Sequence, residues 1–560
     1  MNTAAPRQVR LRAAVHITPV EGGLYCVGWQ ETLKISGSPA LGKLWTALFP
    51  HLHRGADPEA LTAALPPAAR DTAQRLLDEL LDKGFLRAEA PGTAAADATV
   101  HPDHRRTLAF LDSAADDPTA AFDRLRHHPI AIHGQGPVAE AAARSLLSLG
   151  AGRLRIDEPS DALRRLAAET GAELGPGREA EAPVRIHVDT AQPPPGPASG
   201  TIGVAQLRDR AVIAPLRERD GDAGLSTVLE RMRDRGLDTA IGPVPAVAAT
   251  LAGNLAAMQA FYALTGVSTE YDGQAYLIEA ERIQTTVHPV APHGRTVAEP
   301  VDPHLPADTD PDRITDLCDS VTGILPATDD GELSQMPLAL ATAGADAFGW
   351  GETGDVARYR AALGAARNAA GRADATSLWT LAGGEAMQAS TRIACAGADA
   401  NAMLCDAVNR LAAAWLDDQD ERRNRFGPAV DEIDRSDPAV TLEVRHPLRV
   451  PDLTVAAALA EGRRVAVFAH PDGEVARRVV SRHAAAVLQA GGDRPTVPIV
   501  DTPPGAPDAV EAPAWHGDET LAALCGEDER IGGARWRGEP ALDALGVIGW
   551  VGLQRNGTGQ

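Results

Sequence analysis

The chain has 560 residues, 44% of them apolar and only 4% aromatic, and carries a formal net charge of −23. That length exceeds one hydrophobic core, so several domains with cores of Ala, Leu and Val are expected. The charge excludes general nucleic-acid binding, no apolar run approaches the roughly 20 residues of a membrane span, and the five scattered cysteines offer no CxxC pair for structural zinc and no disulfide framework.

Residues 1–11 lack an apolar signal-peptide core, which points to the cytoplasm. In "AAVHITPVEG", "LYCVGWQ" and "ETLKIS", short alternating segments are separated by polar residues and Gly pairs, predicting three strands. "PALGKLWTALFPHLHRG" places Leu41, Leu44, Leu48 and Leu52 at helical spacing, and "DPEALTAAL" opens a short helix with an Asp cap. "PAARDTAQRLLDELLDKGFL" predicts a longer amphipathic helix with Leu76, Leu77, Leu80 and Leu81 inside and Gly84 as its stop. Three strands and three helices make a winged-helix-like domain over 1–92, and "APGTAAADATVHPD" reads as a linker.

Residues 105–300 alternate strands and helices. "IAIHGQGPVAEAAARSLLSLGAGRLRIDE" gives a strand, a Gly turn, an Ala-rich helix and a second strand ending at Asp157. "APVRIHVDT" is a further strand, "GTIGVAQLRDRAVIAPL" a strand pair, and "VAATLAGNLAAMQAFYALTG" a small-residue helix closed by Gly266. That order predicts an α/β layer with a largely parallel, Rossmann-like sheet. Residues 301–560 are harder to divide. They hold a turn-rich hairpin, the Ala-rich helices "VARYRAALGAARNAAG" and "NAMLCDAVNRLAAAW", and strands at "RRVAVFAHP" and "PTVPIVDT". The fold class is α/β multidomain.

Gly134 permits a tight turn after the first strand of the middle domain, and Gly136 lets a phosphate approach the backbone, with Asp157 spaced as a ribose-binding acid. Pro137 removes one N–H donor from the helix start. The loop therefore reads either as vestigial turn chemistry or as retained nucleotide binding. The histidine pairs His51/His53, His101/His104, His127/His128 and His288/His293 have no third ligand at metal spacing, so no metal site is expected.

The order of these parts resembles the ocin-ThiF-like (F-protein) partners of YcaO cyclodehydratases, which act in thiazole/oxazole-modified and thiopeptide-type biosynthesis. "TLKISGSPALGKLWTALFPHL", "DPEALTAAL" and "LLDELLDKGFL" are similar to that family's leader-peptide recognition element. "GQGPVAEAAARSLLSLGAGRLRIDE", "GPVPAVAATLAGNLAAMQAFYALTG" and "VHPVAPH" are similar to its ThiF-like middle. Active ThiF-like enzymes supply an Arg and a Lys to ATP after the ribose acid. Here that stretch has Arg164 and Arg165 but no Lys, and no cysteine lies between Cys26 and Cys318. In the C-terminal third, "GWGETGDVARYRAALGAARN" and "SLWTLAGGEAMQASTRIACAGADANAMLCDAVNRLAAAW" resemble two YcaO motifs, with Ser390, Gly397 and Arg410 kept. Where the first motif of that family carries two Glu and an Arg, this chain has Gly364, Arg367 and Asn368, and the acids of the second motif become Asp406 and Asn409; the family holds magnesium on ATP with these carboxylates. The segment reads as a degenerate copy, or as two ordinary Ala-rich helices.

The resemblance implies that a leader peptide adds to the third strand of the recognition element, at Thr32, Leu33, Lys34, Ile35 and Ser36, faced by Arg70, Gln74, Leu77 and Leu81. Lys34, Arg70 and Arg75 would attract an acidic leader locally. The competing DNA-binding reading meets Asp71, Asp78, Glu79 and Asp82 on the same helix. The expected function is a non-catalytic protein that recruits a ribosomally made precursor to a YcaO enzyme for azoline or azole formation. It has no catalytic residue or cofactor of its own, ATP and magnesium residing on the partner, and a homodimer is compatible with it. The alternative is an ATP-dependent adenylyltransferase of ThiF type acting on a peptide or carrier protein, through Gly134, Gly136 and Asp157.

Overall fold

The computed structural model describes residues 8–29, 31–89, 104–176, 182–189, 200–217, 224–269, 271–291, 298–300, 317–372, 378–381, 386–387, 389, 391–433, 440–491, 494–495, 497–499, 517–525, 529–536 and 547–555. The chain divides into two units. One comprises Met1–Asp220, Gly224–Ser226 and Asp238–Val287, and the other Gly221–Ala223, Thr227–Leu237 and His288–Gln560.

In the first unit, the alternating opening segments form β1 (Gln8–Leu11), β2 (His16–Val20), β3 (Gly23–Val27) and β4 (Thr32–Ser36). After them come α1 (Pro39–Leu52), α2 (Pro58–Ala63), α3 (Pro67–Asp82) and β5 (Leu86–Glu89). β2, β3 and β4 make an antiparallel sheet in that order. A side chain at Gly23 would meet the Ile35 carbonyl oxygen at 1.9 Å, so the β2–β3 turn requires glycine there. Asp57 caps α2 by accepting from the Glu59 N–H (2.9 Å), as expected, and Gly84 ends α3 at φ 70°. Leu24, Cys26, Ile35, Trp45, Leu48, Leu76, Leu77 and Leu80 form the core. Leu81, expected inside, is 40% exposed, because α3 turns only Leu76, Leu77 and Leu80 of its leucines inward. β1 and β5 pair with Val9 opposite Ala88. Neither was expected, since four-residue strands carrying Arg10 and Arg87 have little apolar signal. The linker at 90–103 lies outside the described residues.

This small sheet-and-helix layer is fastened to the helix α4 (Arg105–Ala114). Asp112 accepts from Arg10 Nη2 (3.2 Å) and from the Ala13 N–H (2.8 Å), and lies 2.8 Å from Arg87 Nη1. Arg12 Nη1 donates to the carbonyls of Asp112 (3.1 Å) and Ala115 (2.6 Å). Burial lowers the Arg12 pKa, opposed by the nearby Asp112 carboxylate.

Beyond α4, the middle of the chain continues with α5 (Pro118–His127), β6 (Ile130–His133), α6 (Pro137–Leu149), β7 (Arg153–Ile156), α7 (Asp161–Thr170) and β8 (Glu173–Gly175). β9 (Val184–Val188), β10 (Gly200–Leu207), β11 (Arg210–Ile213), α8 (Leu225–Asp234), α9 (Ala246–Thr265), β12 (Gln274–Glu279) and β13 (Gln284–Pro289) complete it. The eight strands are ordered β13-β12-β11-β10-β9-β6-β7-β8. β10, β9, β6, β7 and β8 run parallel, and β11 and β12 extend the sheet antiparallel. The strand order reverses between β6 and β9, where an open α/β sheet leaves a crevice at its carboxyl end. α9 is 20 residues long and, by length and composition, apolar enough to cross a membrane, which corrects the expectation that no run approaches that length. Its apolar character comes from Ala as much as from Leu. It is a core helix, with Ala248, Ala252, Ala256, Ala260 and Phe261 fully buried. A Cβ at Gly253 would meet the Val138 carbonyl oxygen at 2.3 Å, so glycine sets the close approach of α9 to α6.

Among the described residues the second unit holds three sheets. β15 (Thr328–Asp329), β16 (Ala339–Ala343) and β17 (Ala347–Gly351) form one, with the helix Gly354–Arg372 packed against them. A second is ordered β19 (Ala386–Met387), β18 (Leu378–Thr380), β25 (Glu529–Trp536), β26 (Val547–Arg555) and β20 (Thr391–Gly397), with β14 (Ala298–Glu299) also paired to β25. The third is the antiparallel run β21 (Val430–Ile433), β22 (Val440–Arg445), β23 (Thr454–Ala460) and β24 (Arg463–His470). Helices Ala400–Asp417 and Gly473–Ala490 lie on these sheets. The strand expected in "PTVPIVDT" is absent among its described residues, since Pro495 and Pro498 cannot donate to a ladder.

Candidate functional site

β4 is the outer strand of its sheet among the described residues. The Gly37 N–H donates to Gly22 O and the Gly28 N–H to Glu31 O, each at 2.8 Å. With Leu24 opposite Ile35 and Cys26 opposite Leu33, the odd-numbered residues of β4 therefore bond to β3. Thr32, Lys34 and Ser36 turn their backbone groups to the open edge. Their side chains are exposed, Leu33 is half-buried and Ile35 is buried. Beside the end of this strand, a cleft of about 560 Å³ opens between β4, α1 and α3. Its apolar lining includes Ile35, Leu41, Leu44 and Leu76, with Arg75 and Glu79 as its charged residues.

Ile35 and Ser36 of the expected peptide-binding set line this cleft, and Thr32, Leu33 and Lys34 precede them on the same strand. Arg70, Gln74, Leu77 and Leu81 do not line it. Arg70 instead donates to the carbonyls of Leu65 (3.0 Å) and Ala63 (3.1 Å), and Gln74 to Asp78 (2.9 Å). Leu77 belongs to the core, and Leu81 is exposed elsewhere on the helix. The α3 residues that do line the cleft are Ala68, Ala69, Thr72, Arg75, Leu76 and Glu79. Residues 68, 72, 75 and 79 carry an i, i+4, i+7, i+11 spacing that is present in the sequence, two positions away from the expected set.

At the Gly loop, Gly134 (φ 117°) and Gly136 (φ 87°) both have positive φ. A Cβ at Gly134 would lie 2.8 Å from Val188 Cβ and 3.0 Å from its carbonyl oxygen, so packing against β9 alone requires this glycine. A Cβ at Gly136 would meet nothing within 4 Å. Asp157 is exposed just beyond β7. At the reversal of strand order, His133 and His187 stack with ring centroids 4.6 Å apart. Burial, together with the neighbouring His133 and Arg185, lowers the His187 pKa to about 4. The His133 pKa is lowered chiefly by burial, opposed by Asp157. Sequence reading missed this pair, although each histidine stands at the carboxyl end of an expected strand.

In the second unit, Arg367 and Asp406 form an ion pair of 2.9 Å, both side chains 6% exposed. The other Asp406 oxygen accepts from the Ala396 N–H (3.1 Å). Asn409 accepts from the Ala469 N–H (2.6 Å), and Asn368 donates to the Asp346 carbonyl (2.9 Å). Gly364 packs against Ala347, and Ser390 lies outside the described residues. The positions that would correspond to magnesium-holding carboxylates thus supply one acid, already neutralised by an arginine and bonded to the backbone. They do not fit magnesium, which needs anionic oxygen ligands. Among the described residues no group of three or more His, Cys, Asp or Glu is placed to hold a metal ion.

No protein-family model and no curated protein matches the sequence. Among solved structures, a heterocyclase in complex with substrate and cofactor matches over 98% of this chain and 94% of its own, at 12% identity and a TM-score of 0.54. The heterocyclase TruD matches over the same shares at 12% identity and a TM-score of 0.49. MccB of E. coli, with AMPCPP and selenomethionine MccA, matches over 50% of this chain and 96% of its own, at 14% identity and a TM-score of 0.36. At such identity the first of these likenesses is one of fold, and it runs through both units.

Proposed function

We propose that this chain binds the leader of a ribosomally made precursor peptide along β4 and presents the core of that peptide to a separate YcaO cyclodehydratase. The observation that carries the reading is the open edge of β4 beside the cleft of about 560 Å³. An extended peptide gains main-chain hydrogen bonds at Thr32, Lys34 and Ser36, while the apolar cleft takes a side chain. Holding the leader makes encounters of the core with the partner's active site intramolecular, at an effective concentration on the order of mM. The fold shared with a heterocyclase over 98% of the chain supports this setting. The pairing of Asp406 with Arg367 supports a role without cyclodehydration chemistry in this chain, whose second unit we read as a degenerate YcaO copy. ATP and magnesium then belong to the partner.

The test is fluorescence polarisation of the full-length protein with the leader peptide encoded beside its gene. Lys34→Pro deletes an N–H that faces the open edge while leaving the β3 ladder intact, and is expected to weaken binding at least 10-fold. Lys34→Ala, which keeps that donor, should lose far less. No leader affinity in the intact protein would sink the reading.

The adenylyltransferase reading keeps one specific observation, the open space at Gly136. It requires ATP–pyrophosphate exchange by the purified protein, abolished in Gly136→Asp.

A further inference from the structure

The chain is poor in aromatic residues, with 8 Trp, 8 Phe and 5 Tyr in 560. Six of them gather in the first unit. Trp29, in the turn between β3 and β4, meets Phe110 of α4 edge to face, with ring centroids 4.8 Å apart. Phe110 in turn lies 5.8 Å from Phe261 and 6.3 Å from Tyr262, both on α9. Tyr271 and Tyr276 of β12 are 6.2 Å apart. Phe261 is buried, Phe110, Tyr262 and Tyr276 are half-buried, and Trp29 and Tyr271 are 44% and 43% exposed. Burial, with Tyr262, Tyr271 and Asp272 close by, raises the Tyr276 pKa to about 12, and burial also raises that of Tyr262. Both phenols therefore keep their protons and can donate.

The row begins where the open edge of β4 ends. The Gly28 N–H donates to Glu31 O (2.8 Å), which closes the turn that carries Trp29, three residues before Thr32. A peptide that pairs with β4 antiparallel, as β3 does, runs from Ser36 toward Thr32 and leaves the sheet beside Trp29. We infer that the row from Trp29 to Tyr271 takes the stretch of the precursor that leaves β4 toward its C-terminus, as an extended segment whose proline and aliphatic side chains lie on the rings. This inference rests on the reading of β4 as the leader site. Aromatic rings offer flat apolar faces to such side chains, and the hydroxyls of Tyr262 and Tyr276 donate to main-chain carbonyls. The two steps from Trp29 to Tyr262, of 4.8 and 6.3 Å, match about three residues of extended chain. An acidic segment is disfavoured by Asp272, whose charge acts on both phenols, and by the net charge of −23.

The experiment is fluorescence polarisation of the full-length protein with N-terminal fragments of the precursor encoded beside its gene, shortened stepwise from the C-terminus. Affinity is expected to fall in two stages. The first loses at least 5-fold, as the stretch over the row is removed, and the second loses all binding, as the stretch on β4 goes. The double variant Trp29→Ala/Tyr271→Ala, which changes exposed side chains, should erase the first stage and leave the shortest binding fragment unaffected. Replacing the apolar residues of the outer stretch by Asp should erase the first stage as well. A single stage, a first stage that survives either change, or a double variant that weakens the shortest fragment as much as the longer ones would overturn this inference and leave the β4 reading standing. No affinity for any fragment would overturn both.

Discussion

Single side chains decide how this chain holds its N-terminal sheet-and-helix layer. Asp112 is 8% exposed and gathers Arg10, Arg87 and the Ala13 N–H onto one carboxylate. Removing one partner of a buried charge cluster is costly, because the remaining groups stay desolvated. Asp112→Asn is expected to lower the stability of the first unit by about 3 kcal/mol, read as a drop in the urea midpoint. Charge, spacing and most of the inward face of α3 were legible in the sequence, since Leu76, Leu77 and Leu80 are buried as expected and Leu81 is not; which α3 residues border the cleft beside β4 was not. Positions 68, 72, 75 and 79 and positions 70, 74, 77 and 81 have the same helical spacing. The packing of Leu77 and Leu80 into a core shared with β3 and α1 chooses between them.

At the scale of elements, small residues govern how closely helices approach. α6 and α9 meet where Gly253 faces the backbone of Val138 and the methyl of Ala141. Gly253→Val forces its side chain into atoms 2.3 and 2.8 Å away, and overpacking of this kind costs about 1–3 kcal/mol. A lowered melting temperature is expected, with the binding proposed at β4 retained at temperatures where the protein remains folded. The order of β6, α6, β7, β9, β10, β11 and α9 was legible from periodicity and from the glycines, whereas the short α7 and β8 and the outer β12 and β13 were not. β1 and β5 were not, since four residues carry too little pattern, and "PTVPIVDT" gave a false strand because apolar content outweighed its prolines.

Across the whole molecule, acid acts on both units through buried histidines. His483 is 1% exposed, accepts from Trp350 Nε1 (2.9 Å) and donates to the Pro495 carbonyl (2.7 Å), and burial lowers its pKa to about 4. His187 in the first unit is lowered to a similar value. A histidine whose folded pKa lies below its unfolded value contributes stability that is present above about pH 6.5 and lost as pH falls toward 4. Each is expected to cost its unit about 2 kcal/mol at pH 5 relative to pH 7.5, seen as lower urea midpoints. His187→Phe should remove its share, and midpoints unchanged between these pH values would show that both histidines titrate normally.

The Asp112 cluster bears on any attempt to move the N-terminal layer from one chain to another. The Pro- and Ala-rich stretch after residue 89 invites a cut there, and a transplant of the sheet and its three helices alone. Such a graft would leave behind the acid to which Arg10 and Arg87 are tethered, together with the Ala115 carbonyl that Arg12 grips. The transferable cassette therefore ends after Ala115, and a chimera spliced there carries its own clamp with it.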